Sequence, residues 1–335
     1  MTLRIRLITL TLSVVILVFI NLIFGSTHIP FESVLRVLTG SIESNDPIYF
    51  IIIENRLPQA LTALFAGASL AVAGLLLQTF FRNPLAGPSI LGITSGATLG
   101  VAVIVLFFGG YFTIGSSSFG GEMAVTSGAF LGSFLILVLL IVMARRIKSN
   151  MTLLIIGIMT GYLTSSLVSL LTSVSDARGI QNYVMWGLGN FSSVSLDHMP
   201  YFIIICLIGL ILAFIMAKQL NLLMLGDNYA ANLGVNVIKA RFWILVSTGI
   251  LSAIVTAFCG PIGFIGLAVP HIARLIVRSG DHRILLPSTI LCGSTLALIC
   301  NILSVAPEGN VIPINALTPL AGVPVVLYVI LRKNN

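Results

Sequence analysis

Long apolar runs with almost no charge among them constrain this chain more than any other feature. Charged residues make up only 8% of its 335 residues, and hydrophobic residues make up 57%. A soluble domain carries about 25% charged residues, so a surface this poor in charge fits lipid better than water. Backbone groups in a bilayer must be hydrogen-bonded within their own segment, and apolar runs of about 18 residues or more therefore predict spanning helices. A transmembrane barrel needs alternating segments of about 10 residues, and the sequence has none.

We predict an all-α membrane protein with ten transmembrane helices in one domain that covers residues 1–335. The approximate bounds of the spans are 7–24, 57–78, 90–108, 123–143, 151–171, 199–217, 242–259, 262–277, 284–305 and 311–331. The first run follows two arginines, as a signal peptide does, but it is too long and no convincing cleavage site follows it. We therefore expect it to be a retained helix.

The placement of basic residues predicts which loops face the cytoplasm. With a cytoplasmic N-terminus and ten alternating spans, 14 of the 17 basic residues fall inside. They are Arg4, Arg6, Arg82, Arg145, Arg146, Lys148, Lys218, Lys239, Arg241, Arg274, Arg278, Arg283, Arg332 and Lys333. Arg36, Arg56 and Arg178 lie outside, and of the ten acidic residues only Asp227 and Asp281 lie inside. Lys and Arg in short loops fix orientation, so the net charge of +7 indicates topology and both termini are predicted to be cytoplasmic. A nucleic-acid partner is not expected.

Small residues recur four positions apart in several predicted spans. The sets are Ala63, Gly67 and Ala71; Gly92, Gly96 and Gly100; Gly157 and Gly161; and Gly249, Ala253 and Ala257. This spacing lets helix backbones approach closely. We predict tight helix packing at these positions rather than a ligand site.

Residues that commonly carry chemistry are few and isolated. The four cysteines all fall in predicted spans without a C-x-x-C pair, which favours buried structural thiols: Cys206, Cys259, Cys292 and Cys300. Single histidines at span edges have no partner at metal-ligand spacing: His28, His198 and His282. We predict no metal site, no cofactor and no catalytic residue. A phosphate-binding G-x-x-x-x-G-K-[ST] loop is also missing, so ATP hydrolysis by this chain is not expected.

The middle of each predicted span lacks Asp, Glu, Lys and Arg. A proton relay through a membrane needs an ionisable residue at that depth. This pattern counts against an ion- or proton-coupled carrier, which is the alternative function for such a chain. The isolation of the chemically reactive side chains counts against a membrane-embedded enzyme.

Hydroxyl side chains crowd the fifth predicted span. Ser165, Ser169 and Thr172 share a helical face at spacings of four and three, and Thr164 lies beside them. Hydroxyls gain nothing from lipid, so this face should meet protein or water. Two interpretations stay open: the face lines a translocation path, or each hydroxyl bonds back to a carbonyl of its own helix.

The longest predicted cytoplasmic connection, 218–241, contains signals for a short helix. Gly226 and Asp227 are suited to its start, because an acidic residue in the first turn complements the helix dipole. Leu233 and Gly234 are suited to its end, with glycine in the position after the cap. Such a helix fits either a docking element for a partner protein or a segment lying on the membrane surface.

Several strings resemble a known family of membrane proteins, and they occur in the family's order over essentially the whole chain. They are Arg56-Leu57-Pro58, Gly74 through Gln78, FRNPLAGPSILGITSGA at 80–97, GDNYAANLG at 226–234, GPIGFIGLAVPHIARL at 260–275, and Asp281-His282-Arg283 continuing to Pro287. In these strings the chain resembles the permease subunits of the ABC importers for iron-siderophore, haem and cobalamin. The string PHIAR with its Gly/Pro lead-in is the most specific.

The resemblance implies a ten-helix importer permease bundle in the bacterial inner membrane. Two copies would form a path along the dimer axis, two ATP-binding subunits would dock on the cytoplasmic face, and a periplasmic or lipid-anchored binding protein would deliver substrate. The segment with Gly226, Asp227, Ala230, Leu233 and Gly234 would couple to the ATPase. The hydroxyl face of the fifth span would line the path, and 149–152 would form an inner gate.

The resemblance also implies an outer docking site. Many family members carry Arg-Leu-Pro-Arg here, and the arginines meet glutamates of the binding protein. This chain has Arg56 but carries Gln59 at the second position, so docking is assigned to Arg56. Iron chelates, haem and cobalamin remain equal candidates for the cargo.

Overall fold

The computed structural model describes residues 2–25, 27, 29–41, 46–114, 117–147, 149–306 and 311–333. His28 and Lys148 of the sequence predictions lie outside the described residues. Within the described ranges the regular secondary structure is helical apart from one antiparallel pair of short strands, in which Tyr111 pairs with Gly120.

The secondary-structure elements follow one another with short connections. The helices are α1 Leu3–Ile23, α2 Phe31–Leu38, α3 Pro47–Phe50, α4 Leu57–Phe81, α5 Ile93–Ala102, α6 Gly121–Arg146, α7 Asn150–Val174, α8 Ala177–Gly187, α9 Met199–Ile215, α10 Ala217–Met224, α11 Asp227–Asn232, α12 Val237–Cys259, α13 Ile265–Val277, α14 His282–Val305 and α15 Ile314–Lys333. The strands are β1 Tyr111–Ile114 and β2 Ser117–Gly120, and the remaining helical segments are π-helical Ile51–Arg56 and Val103–Phe107 and 3₁₀-helical Pro88–Leu91.

Ten of the helices overlap the ten predicted spans in chain order. Among the described residues, six are long and apolar enough to cross a membrane alone, the bent pair α9 and α10 counts as a seventh if it forms one span, and three others are shorter apolar helices. The bend between α9 and α10 is 52°. The all-α bundle predicted from hydropathy is confirmed.

The second span begins well before its predicted start at 57. Asp46 caps α3 by accepting a hydrogen bond from Ile48 N–H at 2.7 Å, and the helix then continues from Pro47 to Phe81 over 35 residues. Pro58 has no N–H to donate to residue 54, which would normally mark a helix start. The π-helical segment Ile51–Arg56 precedes α4, and Leu57 N–H bonds to the Ile52 carbonyl. The helix therefore continues past Pro58 without a break.

The helix α4 lies at the centre of the bundle and packs against α9, α12, α13 and α14. Close approach is possible because small residues face each other: a Cβ added at Gly74 would overlap the carbonyl of Gly266 in α13, and one at Gly67 would overlap that of Gly293 in α14. The small-residue spacing therefore marks helix packing, as predicted.

The helices α5 and α6 form a second closely packed pair, in which Gly100 lies against the backbone of Gly128. On the far side of α5 lies α7, which also contacts the 3₁₀ turn Pro88–Leu91. The other side of α6 packs on α12. Only 22% of the spanning window of α7 is buried, so α7 has large surfaces that no described residue covers.

The four cysteines are buried and carry free thiols, as expected for structural residues. All four belong to the apolar cluster that surrounds α4. Among the described residues, no group of three or more His, Cys, Asp or Glu side chains is placed to hold a metal ion.

Candidate translocation, coupling and docking sites

The hydroxyl groups of α7 bond within their own helix. Ser169 Oγ donates to the Ser165 carbonyl at 3.1 Å, Thr172 Oγ1 to the Val168 carbonyl at 2.9 Å, and Thr164 Oγ1 to the Gly161 carbonyl at 2.9 Å. The local interpretation of these residues is therefore present in the structure. Such a bond leaves oxygen lone pairs free, so a hydroxyl that bonds to its own helix can still face a water-filled path.

The structure separates Thr164 from the other candidate residues of the pathway. Ser165 and Ser169 are exposed on the described chain, Thr172 is half-buried, and Thr164 is only 3% exposed. Thr164 shares a helical face with Gly157, which is also buried and packs against Leu91 of the 3₁₀ turn. Its predicted place in the wall of the path stays a prediction beside this observed burial.

The exposed surface of α7 also carries large apolar side chains. Leu163, Leu167 and Leu170 are 62%, 40% and 64% exposed, and Tyr162 is 69% exposed. They flank the hydroxyl positions around the helix. A surface this apolar must be covered by lipid or by another protein chain.

The predicted inner gate connects α6 to α7. Ser149 caps α7 by accepting a hydrogen bond from Thr152 N–H at 3.3 Å. Asn150 Nδ2 donates to the Phe80 carbonyl at 2.8 Å, which ties this connection to the last turn of α4. The gate segment is thus joined to the central helix, and its gating role stays a prediction.

The predicted short helix of the long connection is α11. Gly226 at its N-cap has a φ of 117°, and Gly234 after its C-cap has a φ of 86°, so glycine is required at both ends. Gly234 N–H bonds to the Ala231 carbonyl and Val235 N–H to the Ala230 carbonyl, which is the Schellman arrangement. The helix ends where the sequence predicts.

Asp227 anchors α11 to two spanning helices. Its carboxylate accepts a hydrogen bond from Arg82, at the end of α4, and another at 2.6 Å from Arg241 in α12. Ala230 is fully buried beneath the helix, whereas Leu233 is 59% exposed. The coupling candidates therefore form one unit, with a buried side, two arginines that hold it and an exposed leucine.

Sequence reasoning counted Arg82 and Arg241 only as topology signals. The signal that could have identified their role is the scarcity of acidic residues on the predicted cytoplasmic side. Only Asp227 and Asp281 lie there, among 14 basic residues. Each such carboxylate is expected to pair with nearby donors. Asp281 caps α14, and its pKa lies below the usual value because Arg283 N–H and the Asn221 side chain donate to it.

The PHIAR string connects three segments at the same end of the bundle. Nε2 of His271 lies 2.8 Å from the Pro84 carbonyl, which joins α13 to the loop after α4. Arg274 donates to Gln78 Oε1 at 2.7 Å, and Gln78 Nε2 donates to the Leu267 carbonyl at 3.1 Å. This string therefore fixes α13 against the last turn of α4.

The predicted docking residue Arg56 is buried, with only 5% of its surface exposed. Its guanidinium donates to the carbonyls of Leu22 and Ile23 at 2.9 and 2.6 Å, and also to the backbone and side chain of Thr27. These bonds satisfy carbonyls at the end of α1. An ion pair with a partner would have to replace them, so docking through Arg56 stays a prediction beside an observed structural role.

The other two basic residues predicted to lie outside, Arg36 and Arg178, differ in whether they already form an ion pair. Arg36 pairs with Glu32 at 2.6 Å within α2. Arg178 is exposed in the first turn of α8 and forms no ion pair with any described residue.

Comparison with known proteins gives matches over nearly the whole chain. The model of the FecCD transport family matches residues 13–332. The chain is 35% identical to the hemin transport system permease protein HmuU of Yersinia pestis, over 97% of this chain and 96% of that protein. It is 32% identical to the vitamin B12 import system permease protein BtuC of Vibrio cholerae, over 84% and 83%. It is 34% identical to the molybdate import system permease protein MolB of Haemophilus influenzae, over 94% and 92%.

Two solved structures are similar to this fold. A metal-chelate type ABC transporter in an inward-facing conformation superposes with a TM-score of 0.83 at 32% identity, covering 98% of this chain and 99% of that one. PsaBC from Streptococcus pneumoniae, in complex with Fab, has a TM-score of 0.54 at 18% identity, covering 82% and 90%, and shares the fold alone.

Proposed function

The chain belongs to the FecCD transport family, and from this premise we propose that it carries an iron chelate, haem or cobalamin across the bacterial inner membrane. It is a permease component of an ABC importer and not an ion- or proton-coupled carrier, because its relatives over the full length are importer permeases. ATP would be hydrolysed by a separate subunit. The relatives are named for different cargoes, one of them molybdate. The cargo is therefore best assigned through the partner binding protein, by thermal-shift assays with haem, cobalamin and ferric chelates.

We propose an assembly of two copies of this chain with two ATP-binding subunits and one binding protein. The exposed apolar surface of α7 supports a second copy, because that surface is broad and lies beside hydroxyl positions that suit a path. Both termini would lie in the cytoplasm, on the side that holds most of the basic residues. The path would be lined by Ser165, Ser169 and Thr172.

The observation that carries the function is the construction of α11. A short helix with an exposed leucine, anchored through Asp227 to α4 and α12, is suited to transmitting force from a partner into the bundle. Leu233 would enter a groove of the ATP-binding subunit. Apolar side chains in desolvated pockets dominate such contacts, so a charge there should weaken binding strongly.

The test is Leu233→Asp, with Leu35→Asp as the matched control. Leu35 is also exposed, at 43%, but lies in α2 at the opposite end of the bundle. Leu233→Asp should lose ATP-binding subunits in co-purification and lose uptake, while Leu35→Asp retains the subunits. Normal uptake by Leu233→Asp at normal expression would reject the coupling role of α11.

We propose that the binding protein docks at the outer end through Arg56 or, when Arg56 keeps its internal bonds, through Arg178. Charges at the rim of an interface act mainly on association rate and its salt dependence. Arg178→Glu should slow association at low salt without affecting stability. If Arg56→Glu slows association and leaves the chain stable, docking belongs to Arg56 as predicted.

A further inference from the structure

Two adjoining clefts lie between helices at the predicted cytoplasmic end of the bundle. The first, of about 300 Å³, lies between α6 and α12 and is lined by Arg145, Lys239 and Phe242. The second, of about 390 Å³, lies between α10 and α12 and is lined by Lys218 and Trp243. Lys239 lines both clefts, so they form one continuous basic surface around the first turns of α12.

The positive charge of this surface is not neutralised within the described chain. Neither cleft is lined by an acidic residue. Arg145, Lys218 and Lys239 form no ion pair with any residue that the structure describes, whereas Arg241 bonds to Asp227. The Arg145 guanidinium lies 5.8 Å from the centre of the Phe242 ring, which orients it at the mouth of the first cleft. An anion is the complementary ligand.

The surroundings of the clefts are those of a lipid interface. Trp243 is 44% exposed, and tryptophan side chains favour the headgroup level of a bilayer. Along α6, an exposed apolar stripe at helical spacing leads to Arg145: Leu131, Phe134, Val138 and Val142. A ligand with a charged head and long apolar chains would match both parts of this surface.

We propose that the two clefts form a binding site for an anionic diacyl phospholipid of the cytoplasmic leaflet. Its phosphate lies between Arg145 and Lys239, its headgroup reaches towards Lys218, and its acyl chains lie along the stripe on α6. Basic pockets between spanning helices on the cytoplasmic side have this lipid preference. The assignment of the leaflet rests on the proposed orientation, and the lipid chemistry rests on the clefts alone.

The site adjoins the coupling segment. Leu233 and Gly234 line the second cleft, and Arg241 lines the first while it bonds to Asp227. A bound anionic lipid would therefore contact the same turn of α12 that anchors α11. The lipid composition of the inner leaflet thereby affects how firmly α11 is held.

The test uses the full-length chain purified in detergent, delipidated, and titrated with phosphatidylglycerol or phosphatidylcholine while bound lipid is counted by native mass spectrometry. Phosphatidylglycerol should bind more tightly. Each basic residue near an anionic headgroup contributes about fivefold, so Arg145→Gln or Lys239→Gln should weaken binding about fivefold and the double variant about 25-fold. Arg146→Gln is the matched control, since Arg146 is exposed on the same turn and lines neither cleft.

Three outcomes would overturn the proposal. If Arg146→Gln weakens binding as much as Lys239→Gln, the attraction is diffuse and no site exists. If millimolar inorganic phosphate displaces the lipid, the clefts bind a free anion and not a phospholipid. If the double variant keeps its lipid but loses ATP-binding subunits in co-purification, the surface is a subunit interface. Lipid is counted on this chain without transport, so failure of the importer function would not alter the result.

Discussion

The helices α4 and α7 are alike in sequence character and opposite in environment. Each has 25 residues, and each is apolar enough to span a membrane. Buried residues make up 83% of the spanning window that includes α4 and 22% of that in α7. Hydropathy therefore shows that both helices span the membrane but does not show which one forms the core.

Side-chain size explains the difference. The faces of α4 carry alanine and glycine on all sides, and these let four neighbouring helices approach its backbone. In α7 one face has Gly157 and Gly161, and the rest carries hydroxyls and large apolar groups. Small residues all round indicate a helix enclosed by its own chain. A single small face indicates a helix enclosed partly by lipid or another chain.

The largest expected effect comes from adding volume to the two helices. Gly74→Val in α4 would force a side chain into the Gly266 backbone, which a rotamer change cannot relieve. Overpacking of this kind costs about 3 kcal/mol or more. Ser169→Val places the same side chain at an exposed position of α7 and should change stability by less than about 0.5 kcal/mol. Thermal unfolding and size-exclusion chromatography in detergent measure both, and equal loss in the two variants would contradict the comparison.

The same contrast shows how far sequence reasoning reaches. The apolar helices of the bundle follow from hydropathy, and the ends of α11 follow from Gly226, Leu233 and Gly234, because backbone geometry at helix ends is set locally. The burial of Arg56 could not be predicted, since it depends on where the end of α1 lies in three dimensions. The burial of Thr164 could not be predicted for a related reason: helical spacing groups residues by angle, but only packing identifies which angle is covered.

The next largest effect on stability is expected at Arg56, in the helical segment that precedes α4. Arg56→Met should lower the free energy of unfolding by about 1–3 kcal/mol, because carbonyls at the end of α1 lose their donors. Ser173→Met at the outer end of α7, where the side chain is exposed, is the control and should have little effect. Thermal unfolding in detergent measures the difference. An unchanged unfolding midpoint for Arg56→Met would leave Arg56 free for docking.

A smaller change in stability, with a functional consequence, is expected for Asp227→Asn. The substitution removes the negative charge shared by Arg82 and Arg241, and the lost bonds are partly exposed, so stability should fall by about 1–2 kcal/mol. Uptake should fall while ATP-binding subunits still co-purify, because Leu233 remains in place. Loss of the subunits together with uptake would show that Asp227 shapes the docking surface rather than the link to α4.

The smallest structural effect and the finest distinction come from single cysteines on α7, in a background without the four native cysteines. A small water-soluble thiol reagent should label cysteine at 165 and 169, label position 172 weakly because Thr172 is half-buried, and spare position 164 because Thr164 is 3% exposed.

Positions 167 and 170 are the sharper test. Leu167 and Leu170 are exposed on the isolated chain, so a reagent limited only by the fold of one copy would reach them. Residues two positions apart lie about 200° apart around a helix, so a water-filled path on the hydroxyl side leaves Leu167 in lipid or against the second copy. Labelling at 165 and 169 with none at 167 and 170 would assign the hydroxyl face to the path. Equal labelling at 167 and 169 would show that the exposed surface of α7 is uniformly wet, and the wall of the path would then have to lie on another helix.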